Sequence, residues 1–191
     1  MSDDDDKRLF GDQFDETRFK KGQEADEIVR SVLMELFEAR NITAVEGEEA
    51  FDNFAENKAI RQIMDYTGID YLVDTFHDPA FGVNHRNHFN VKASRFDIRA
   101  ETGSTAPSEL DKLRKAEQWD IVPKYASRMK IPDGEVEWFR MIDLSGFVEA
   151  IENDGLKSDM EWEDYDSNVT AWMYDYDDLR DRDLVVADIE P

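Results

Sequence analysis

The chain has 191 residues, of which 40% are hydrophobic and 12% aromatic, so it is long and apolar enough for one domain with its own core, and general disorder is excluded. It contains no cysteine, which excludes disulfides, thiolate metal sites and cysteine nucleophiles. No run has the length of a transmembrane helix and no apolar stretch follows the start as in a secretory signal, so we expect a soluble, cytoplasmic protein with no membrane partner.

Charge is the most unusual property of the sequence. Forty-six acidic residues against 23 basic ones give a formal net charge of −23. Three interpretations stay open: halophilic adaptation, an acidic mimic of DNA, and a mesophilic protein with acidic tails. The acids are spread along the whole chain, which favours a protein of a salt-loving archaeon or one of its viruses. At molar salt the Debye length falls to about 3 Å, so the net charge would scarcely oppose DNA binding.

The first half of the chain begins with an acidic segment, residues 1–17, which carries DDDDK as a cloning remnant or a native tail and is expected to be mobile. Residues 18–40 form the clearest predicted helix, with apolar residues at the spacing of one buried face and Asn41 as its stop. At about 100° per residue, Asp26 falls on the flank of the apolar stripe, and Glu27 lies opposite it.

A second helical region is predicted over residues 45–66 and ends at Gly68. A short strand follows at 69–73, then a loop at 74–87 because of its Pro, Gly and Asn residues, and a second strand at 87–95. The later predictions are a loop over 99–108, a helix over 108–119 with Ser108 as N-cap, strands over 120–130 and 135–143, and a helix over 144–153 closed by Gly155.

This order of elements predicts an α/β fold with a central mixed β-sheet flanked by helices. We expect the domain to span residues 18–155 and an acidic, aromatic extension to span 156–191. The aromatic residues of that extension suggest that parts of it dock on the domain.

Three short segments carry the most specific chemistry: residues 21–26 (KGQEAD), 68–73 (GIDYLV) and 90–93 (NVKA). Together they resemble the PD-(D/E)XK nuclease superfamily, nearest in style to the archaeal Holliday-junction resolvases and small viral nucleases. In those enzymes Lys-Gly precedes a helix that carries an acid, an acid begins a hairpin strand, and Glu-x-Lys lies on the following strand. The resemblance covers residues 18–143 and implies a restriction-endonuclease-like fold.

The resemblance also implies roles for individual residues. Asp26 would be the helix acid, Asp70 the metal-bridging acid and Lys92 the catalytic lysine. The metal ligands would be Asp70, Asn90 and Asp26, and the cofactor Mg²⁺ or Mn²⁺. The implied reaction is metal-dependent phosphodiester hydrolysis of DNA, and a homodimer is expected because resolvase-like enzymes are commonly dimeric.

Two residues depart from the family pattern. The helix acid is Asp26 rather than Glu, which shortens its reach by one methylene. Asn90 stands where the family usually has an acid, and its amide offers a neutral oxygen but removes a formal charge from the site. An acid elsewhere could compensate, and the nearby candidates are Asp74, Asp97 and Glu101.

Simpler interpretations of the same residues stay open. Asp70 could cap a turn, Asp26 could be a solvated helix acid, and Lys92 could extend from a strand edge with its ammonium in water. We expect His77, His85 and His88 to be loop or surface histidines, since no cysteine or metalloprotease-like spacing accompanies them.

One concentration of basic residues follows Lys92 and could track DNA phosphates, or could serve as ion-pair partners on an acidic surface. Its members are Arg95, Arg99, Lys112, Arg114 and Lys115. The leading prediction is a nuclease. The alternatives are a catalytically inactive nuclease-fold binding or virion protein that has lost its metal site at Asn90, and an acidic DNA-mimic interaction protein.

Overall fold

The computed structural model describes residues 16–45, 67–88, 95–102, 107–118, 123–131, 136–164 and 169–190. Side chains are described from residue 25 onward within these ranges, except those of 115–118 and 162–164. The elements are α1 Glu16–Leu36, β1 Ala39–Ala44, β2 Tyr71–Thr75, β3 Phe81–His88, β4 Phe96–Thr102, α2 Glu109–Gln118, β5 Pro123–Lys130, β6 Trp138–Asp143, α3 Leu144–Glu152, β7 Met160–Asp164, β8 Val169–Tyr174, α4 Tyr176–Arg180 and β9 Val185–Ile189.

The strands form two sheets. The larger has six strands in the order β1-β2-β3-β5-β6-β9, in which β3 and β5 pair parallel and the other neighbours pair antiparallel. The smaller has three antiparallel strands in the order β4-β8-β7. This mixed sheet confirms the predicted α/β class. None of the helices in the described ranges is long and apolar enough to cross a membrane.

Each face of the six-stranded sheet has its own core. Helix α1 covers one face, and its Ala25, Val29 and Leu33 are fully buried in the cluster that contains Val83 of β3. On the other face, α2, α3 and the smaller sheet surround a second cluster that contains Phe147. Because side chains alternate along a strand, even and odd positions of β3 and β5 serve different faces.

Helix α1 is shorter than the prediction of 18–40 at its C-terminal end. It ends at Leu36, and Glu38 has a φ of 46°, so the backbone leaves the helical region and turns into β1. Asn41, the predicted stop, lies inside β1, where its side chain donates a hydrogen bond to Thr43. Strand β1 is difficult to predict from the sequence because it is short and contains two alanines. The helix predicted over 45–66 lies, apart from Val45, outside the described residues.

The predicted loop at 74–87 is wrong, because β3 occupies Phe81–His88 and β2 extends to Thr75. Gly82 and Asn84 read as loop residues in isolation, but tertiary contacts require both in a strand. A Cβ atom on Gly82 would lie 2.7 Å from Cγ1 of Ile69, so only glycine lets the chain before β2 pack this closely. Asn84 is buried and held by side-chain hydrogen bonds.

The elements around α2 agree better with the sequence. Ser108 caps α2 as predicted: its Oγ accepts from the backbone N–H of Asp111 at 3.1 Å, and the Asp111 carboxylate accepts from the N–H of Ser108 at 3.2 Å. Strands β5 and β6 and helix α3 confirm the strands predicted over 120–130 and 135–143 and the helix predicted over 144–153, within the residues that the structure describes. Part of the predicted loop at 99–108 is wrong, because β4 runs to Thr102.

The C-terminal segment is part of both sheets. Strand β8 is the central strand of the smaller sheet, between β4 and β7, and β9 forms one edge of the larger sheet beside β6. Tyr174 and Tyr176 are buried in the core cluster that contains Phe147.

Candidate functional site

A cavity lies where β2 begins. The β2–β3 ladder ends with Tyr71 opposite Val83, while β3 continues along β5 as far as His88. The cavity measures about 570 Å³ and receives side chains from both faces of the sheet. It is lined by Asp26, Ala44, Gly68, Asp70, Tyr71, Asn84, His85, Arg86, Asn87, Arg99, Thr102, Pro107, Glu109 and Lys112.

Asp70 is held in place by its backbone and by its side chain. Its backbone N–H donates to Val83 O at 2.9 Å, and its carbonyl accepts from the N–H of Val45 at 2.8 Å. Its Oδ2 accepts from the backbone N–H of His85 at 2.6 Å and from Nδ2 of Asn84 at 3.3 Å. These neutral donors stabilise the ionised carboxylate and fix its direction.

Asp26 reaches the same cavity from α1. It is exposed, and its Oδ1 accepts a hydrogen bond of 2.8 Å from the hydroxyl of Tyr71. Burial raises the pKa of Tyr71, and the neighbouring Asp26 raises it further, so the hydroxyl stays protonated and remains a donor. This hydrogen bond therefore joins the predicted helix acid to the first residue of β2, directly after Asp70.

His85 is a neutral part of the cavity wall. Burial lowers the pKa of His85 to about 3, although its hydrogen bond to Asn87 acts in the opposite direction. Nε2 lies 2.9 Å from Oδ1 of Asn87 and Nδ1 lies 2.7 Å from Oγ of Ser127. Because the Asn87 oxygen is an acceptor, Nε2 carries the proton and Nδ1 accepts from the Ser127 hydroxyl. The prediction of a loop or surface histidine is wrong for His85, which lies on β3.

Beside the cavity lies a group that we call the ionic cluster, formed by Arg86, Asp97, Glu109 and Arg128. Two of its members, Arg86 and Glu109, also line the cavity. The guanidinium of Arg86 contacts both carboxylates. Arg128 is 1% exposed; its Nε lies 3.3 Å from Asp97 Oδ1 and its Nη2 lies 3.0 Å from Glu109 Oε1. Two positive and two negative charges thus compensate each other across β3, β4, β5 and α2.

The protonation of the ionic cluster follows from these contacts. Burial alone would raise the pKa of Asp97, but the nearby His88 ring and the charges of Arg86 and Arg128 outweigh it and hold that pKa well below its usual range. The pKa of Glu109 is likewise lowered, since Arg86 and Arg128 outweigh its burial. Both carboxylates are therefore ionised in the folded protein. His88 Nε2 lies 3.3 Å from Asp97 Oδ1 but is not aligned for a hydrogen bond.

Two of the five predicted DNA-contacting residues line the cavity. Arg99 reaches it from β4 and Lys112 from α2. The stem of Lys112 passes close to Gly68, since a Cβ built on that glycine would lie 3.9 Å from Cδ of the lysine. Arg95 does not line the cavity, Arg114 pairs with Glu152 at 3.2 Å, and the side chain of Lys115 lies outside the described residues.

The structure brings together Asp26 and Asp70 from the predicted site. Asn90 and Lys92 lie outside the described residues, so the second half of the predicted motif stays a prediction. None of the three acids proposed to compensate for Asn90 lines the cavity. Asp74 pairs with Arg40, Asp97 belongs to the ionic cluster, and Glu101 is exposed on β4. Within the described ranges, no group of three or more His, Asp or Glu side chains is placed to hold a metal ion.

The sequence did not single out four residues that prove to belong to the cavity or the cluster: Asn84, Arg86, Glu109 and Arg128. Glu109 is the first residue of a charged helix and looks like an ordinary favourable acid at a helix N-terminus. Arg128 offered a weak signal, because it stands in a strand beside Ala126 and Met129, where a charged residue needs a buried partner.

No family model, curated protein or solved structure matches the chain. The likeness to PD-(D/E)XK nucleases therefore depends on the three short segments quoted above.

Proposed function

We propose that the protein hydrolyses phosphodiester bonds of DNA with the help of a divalent cation, Mg²⁺ or Mn²⁺. The observation that carries this proposal is the shared cavity. Asp26 from α1 and Asp70 from the start of β2 line it together with Arg99 from β4 and Lys112 from α2. A divalent metal ion requires carboxylate ligands, and a phosphate group requires cationic side chains. A site that binds both therefore needs the two kinds of side chain close together.

The residues present fit a hard cation. Asp26 and Asp70 supply carboxylate oxygens, and Mg²⁺ is commonly held by one or two carboxylates while it keeps several waters. The Asn84 oxygen would not contribute, because it accepts a hydrogen bond from Arg128. When bound, such a cation would polarise the phosphate and lower the pKa of an attacking water.

The side chains of this chain would bind and orient the substrate. Arg99 and Lys112 would bind phosphate oxygens, and a guanidinium does so with paired hydrogen bonds. The N–H of His85 keeps the Asp70 carboxylate directed before any ligand arrives. Lys92, by the resemblance, would stabilise the negative charge that develops on the phosphate.

The proposal includes the restriction-endonuclease-like form of the α/β fold. Its support is the order of elements around the cavity. A helix that carries an acid (α1) is followed by an acid at the start of a hairpin strand (β2), and the next strand (β3) continues past that acid. A Glu-x-Lys equivalent would follow on β3 or just after it.

The test is a cleavage assay with duplex, single-stranded and junction DNA, at high and low salt, with Mg²⁺ or Mn²⁺. We expect Asp70→Asn to reduce cleavage to background, because the amide keeps an acceptor for the His85 N–H but loses the charge that holds the cation. The matched control is Asp74→Asn, the same substitution within β2, the strand that follows Asp70, at an acid that pairs with Arg40 outside the cavity. Equal cleavage by Asp70→Asn and wild type would overturn the site.

The second candidate is a nuclease-fold protein that binds DNA without cutting it. It is favoured by the absence, within the described residues, of a group of three metal-binding side chains. Calorimetric titration with Mn²⁺ distinguishes the two functions. A cleaving enzyme takes up the ion at a site that Asp70→Asn abolishes, whereas a binding protein retains DNA and takes up no ion.

A further inference from the structure

The guanidinium of Arg128 is fixed by contacts on all three nitrogens. It is fully buried. Its Nε donates to the carboxylate of Asp97, and its Nη2 donates to the carboxylate of Glu109 and, at 2.8 Å, to the backbone oxygen of Asp97. Nη1 donates to Ser127 O at 3.0 Å and to Oδ1 of Asn84 at 2.9 Å. Its Cζ atom also lies 4.7 Å from the ring centre of Phe96. A planar donor fixed in this way permits one arrangement of its acceptors.

Arg128 thereby sets the orientation of the Asn84 amide. With Oδ1 facing Arg128, Nδ2 donates to Gly68 O at 3.0 Å and to Asp70 Oδ2 at 3.3 Å. The flipped amide would place its NH₂ group against a guanidinium donor and its oxygen against two acceptors. That arrangement would lose every one of these hydrogen bonds in a buried position, so it is excluded.

We propose that Arg128 is a positioning residue for the cavity, acting through Asn84 to direct the Asp70 carboxylate and so to set the affinity of the site for a divalent cation. The inference rests on the proposed function. Residues behind a metal ligand orient it, and their loss commonly lowers metal affinity by about 10-fold to 100-fold.

The same guanidinium also supports the cationic side of the cavity. Its Nη2 binds Oε1 of Glu109, and Oε2 of that residue accepts from the backbone N–H of Arg99 at 3.1 Å. Arg128 is therefore connected through Asn84 to Asp70, an expected metal ligand, and through Glu109 to Arg99, an expected phosphate ligand. Asn84 takes part only in the connection to Asp70.

The experiment measures Mn²⁺ affinity and, separately, DNA affinity without metal, for the full chain and three variants. Asn84→Ala is expected to lower Mn²⁺ affinity about 10-fold to 100-fold and to leave metal-free DNA affinity unchanged. Arg128→Lys keeps the charge but cannot reach all of these acceptors, so we expect both affinities to fall. Asn41→Ala removes an exposed amide from β1 and should change neither.

The outcomes separate the two proposals. Wild-type Mn²⁺ binding with an unchanged constant in Asn84→Ala overturns the positioning role alone. No Mn²⁺ binding by the wild-type chain overturns both the positioning role and the proposed function. If Arg128→Lys does not fold, Asn84→Ala decides, because Arg128 keeps its other acceptors in that variant. A lower Mn²⁺ affinity in folded Asn84→Ala with an unchanged metal-free DNA affinity supports the proposal, since a purely structural role would lower both affinities together.

Discussion

The ionic cluster and the pair of acids Asp26 and Asp70 are neighbours around one cavity, yet their carboxylates have different partners. In the cluster, Asp97 and Glu109 each contact two guanidinium groups and are largely buried. In the cavity, Asp26 accepts from a tyrosine hydroxyl, and Asp70 accepts from a backbone N–H and an amide. The first arrangement compensates charge with charge. In the second arrangement, neutral donors fix the orientation of each carboxylate.

This difference separates stability from function. A buried charge that loses its partner carries the full cost of desolvation, so the cluster should control folding. The carboxylates of Asp26 and Asp70 accept from a hydroxyl, a backbone N–H and an amide, and replacement of either residue by the matching amide keeps an acceptor for these donors. The cluster should therefore respond to mutation in unfolding experiments, and the cavity acids in binding and cleavage experiments.

The largest effect is expected for Arg128→Met. The variant leaves Asp97 and Glu109 buried with Arg86 as their remaining guanidinium partner. Breaking a buried pair in this way costs about 3–5 kcal/mol of unfolding free energy. Urea unfolding followed by circular dichroism measures it. A loss below about 1 kcal/mol, the level of an exposed pair, would mean that the cluster is not the folding determinant that its burial indicates.

A smaller effect is expected for Glu109→Gln, paired with Asp26→Asn as its cavity counterpart. Each change replaces a carboxylate by its amide. We expect Glu109→Gln to lose about 1–3 kcal/mol, because hydrogen bonds to charged groups are lost in a buried place. Asp26→Asn keeps an acceptor for the Tyr71 hydroxyl on an exposed side chain and should stay within about 0.5 kcal/mol. Equal losses in the two variants would remove the distinction between cluster and cavity.

The pH dependence of His85 gives a third test. Its pKa in the folded protein is about 3, whereas the unfolded chain has the ordinary value of about 6.5. Below pH 6.5 the unfolded state binds a proton at His85 that the folded state does not bind. The contribution of the neutral His85 ring to stability is therefore fully present above pH 6.5 and is lost as the pH falls toward 3. We expect the advantage of wild type over His85→Gln to shrink by about 1–2 kcal/mol between pH 7 and pH 5.

The control for this test is internal, since the many acids of the chain titrate alike in both proteins. Urea unfolding at matched ionic strength and several pH values provides the comparison. A constant difference between the two proteins over this range would mean that the His85 ring is open to protonation in the folded state.

Much of the fold was predictable where local sequence and tertiary structure agree. Ser108 is a typical N-cap residue, and its hydroxyl does cap α2. The pairing of β5 with β6 agrees with the turn predicted over residues 131–134 between two runs of β-formers. Strand β3 was mislocated because Gly82 and Asn84 favour loops by themselves. Their strand positions follow from Ile69 and Arg128, which are distant in the sequence.

The candidate site was predictable to a similar degree. The sequence offered Asp26, on the flank of the α1 stripe, and Asp70, before β2, as site candidates, and both line the cavity. Nothing local indicates that Arg128 stands behind them. The sequence does not distinguish a buried arginine from an exposed one, and the partners of Arg128 come from β3, β4 and α2.

The smallest effect is expected at the exposed ion pair of Arg40 and Asp74, which joins β1 to β2 on the surface. The Arg40 side chain is 59% exposed and that of Asp74 is 32% exposed, so water and salt screen the attraction. Arg40→Ala should cost about 0–1 kcal/mol at low salt and less at high salt. A loss comparable to that of Arg128→Met would show that pairing of charges, and not their burial, governs stability in this acidic chain. Urea unfolding at two salt concentrations distinguishes these outcomes, because a buried cluster is screened far less than an exposed pair.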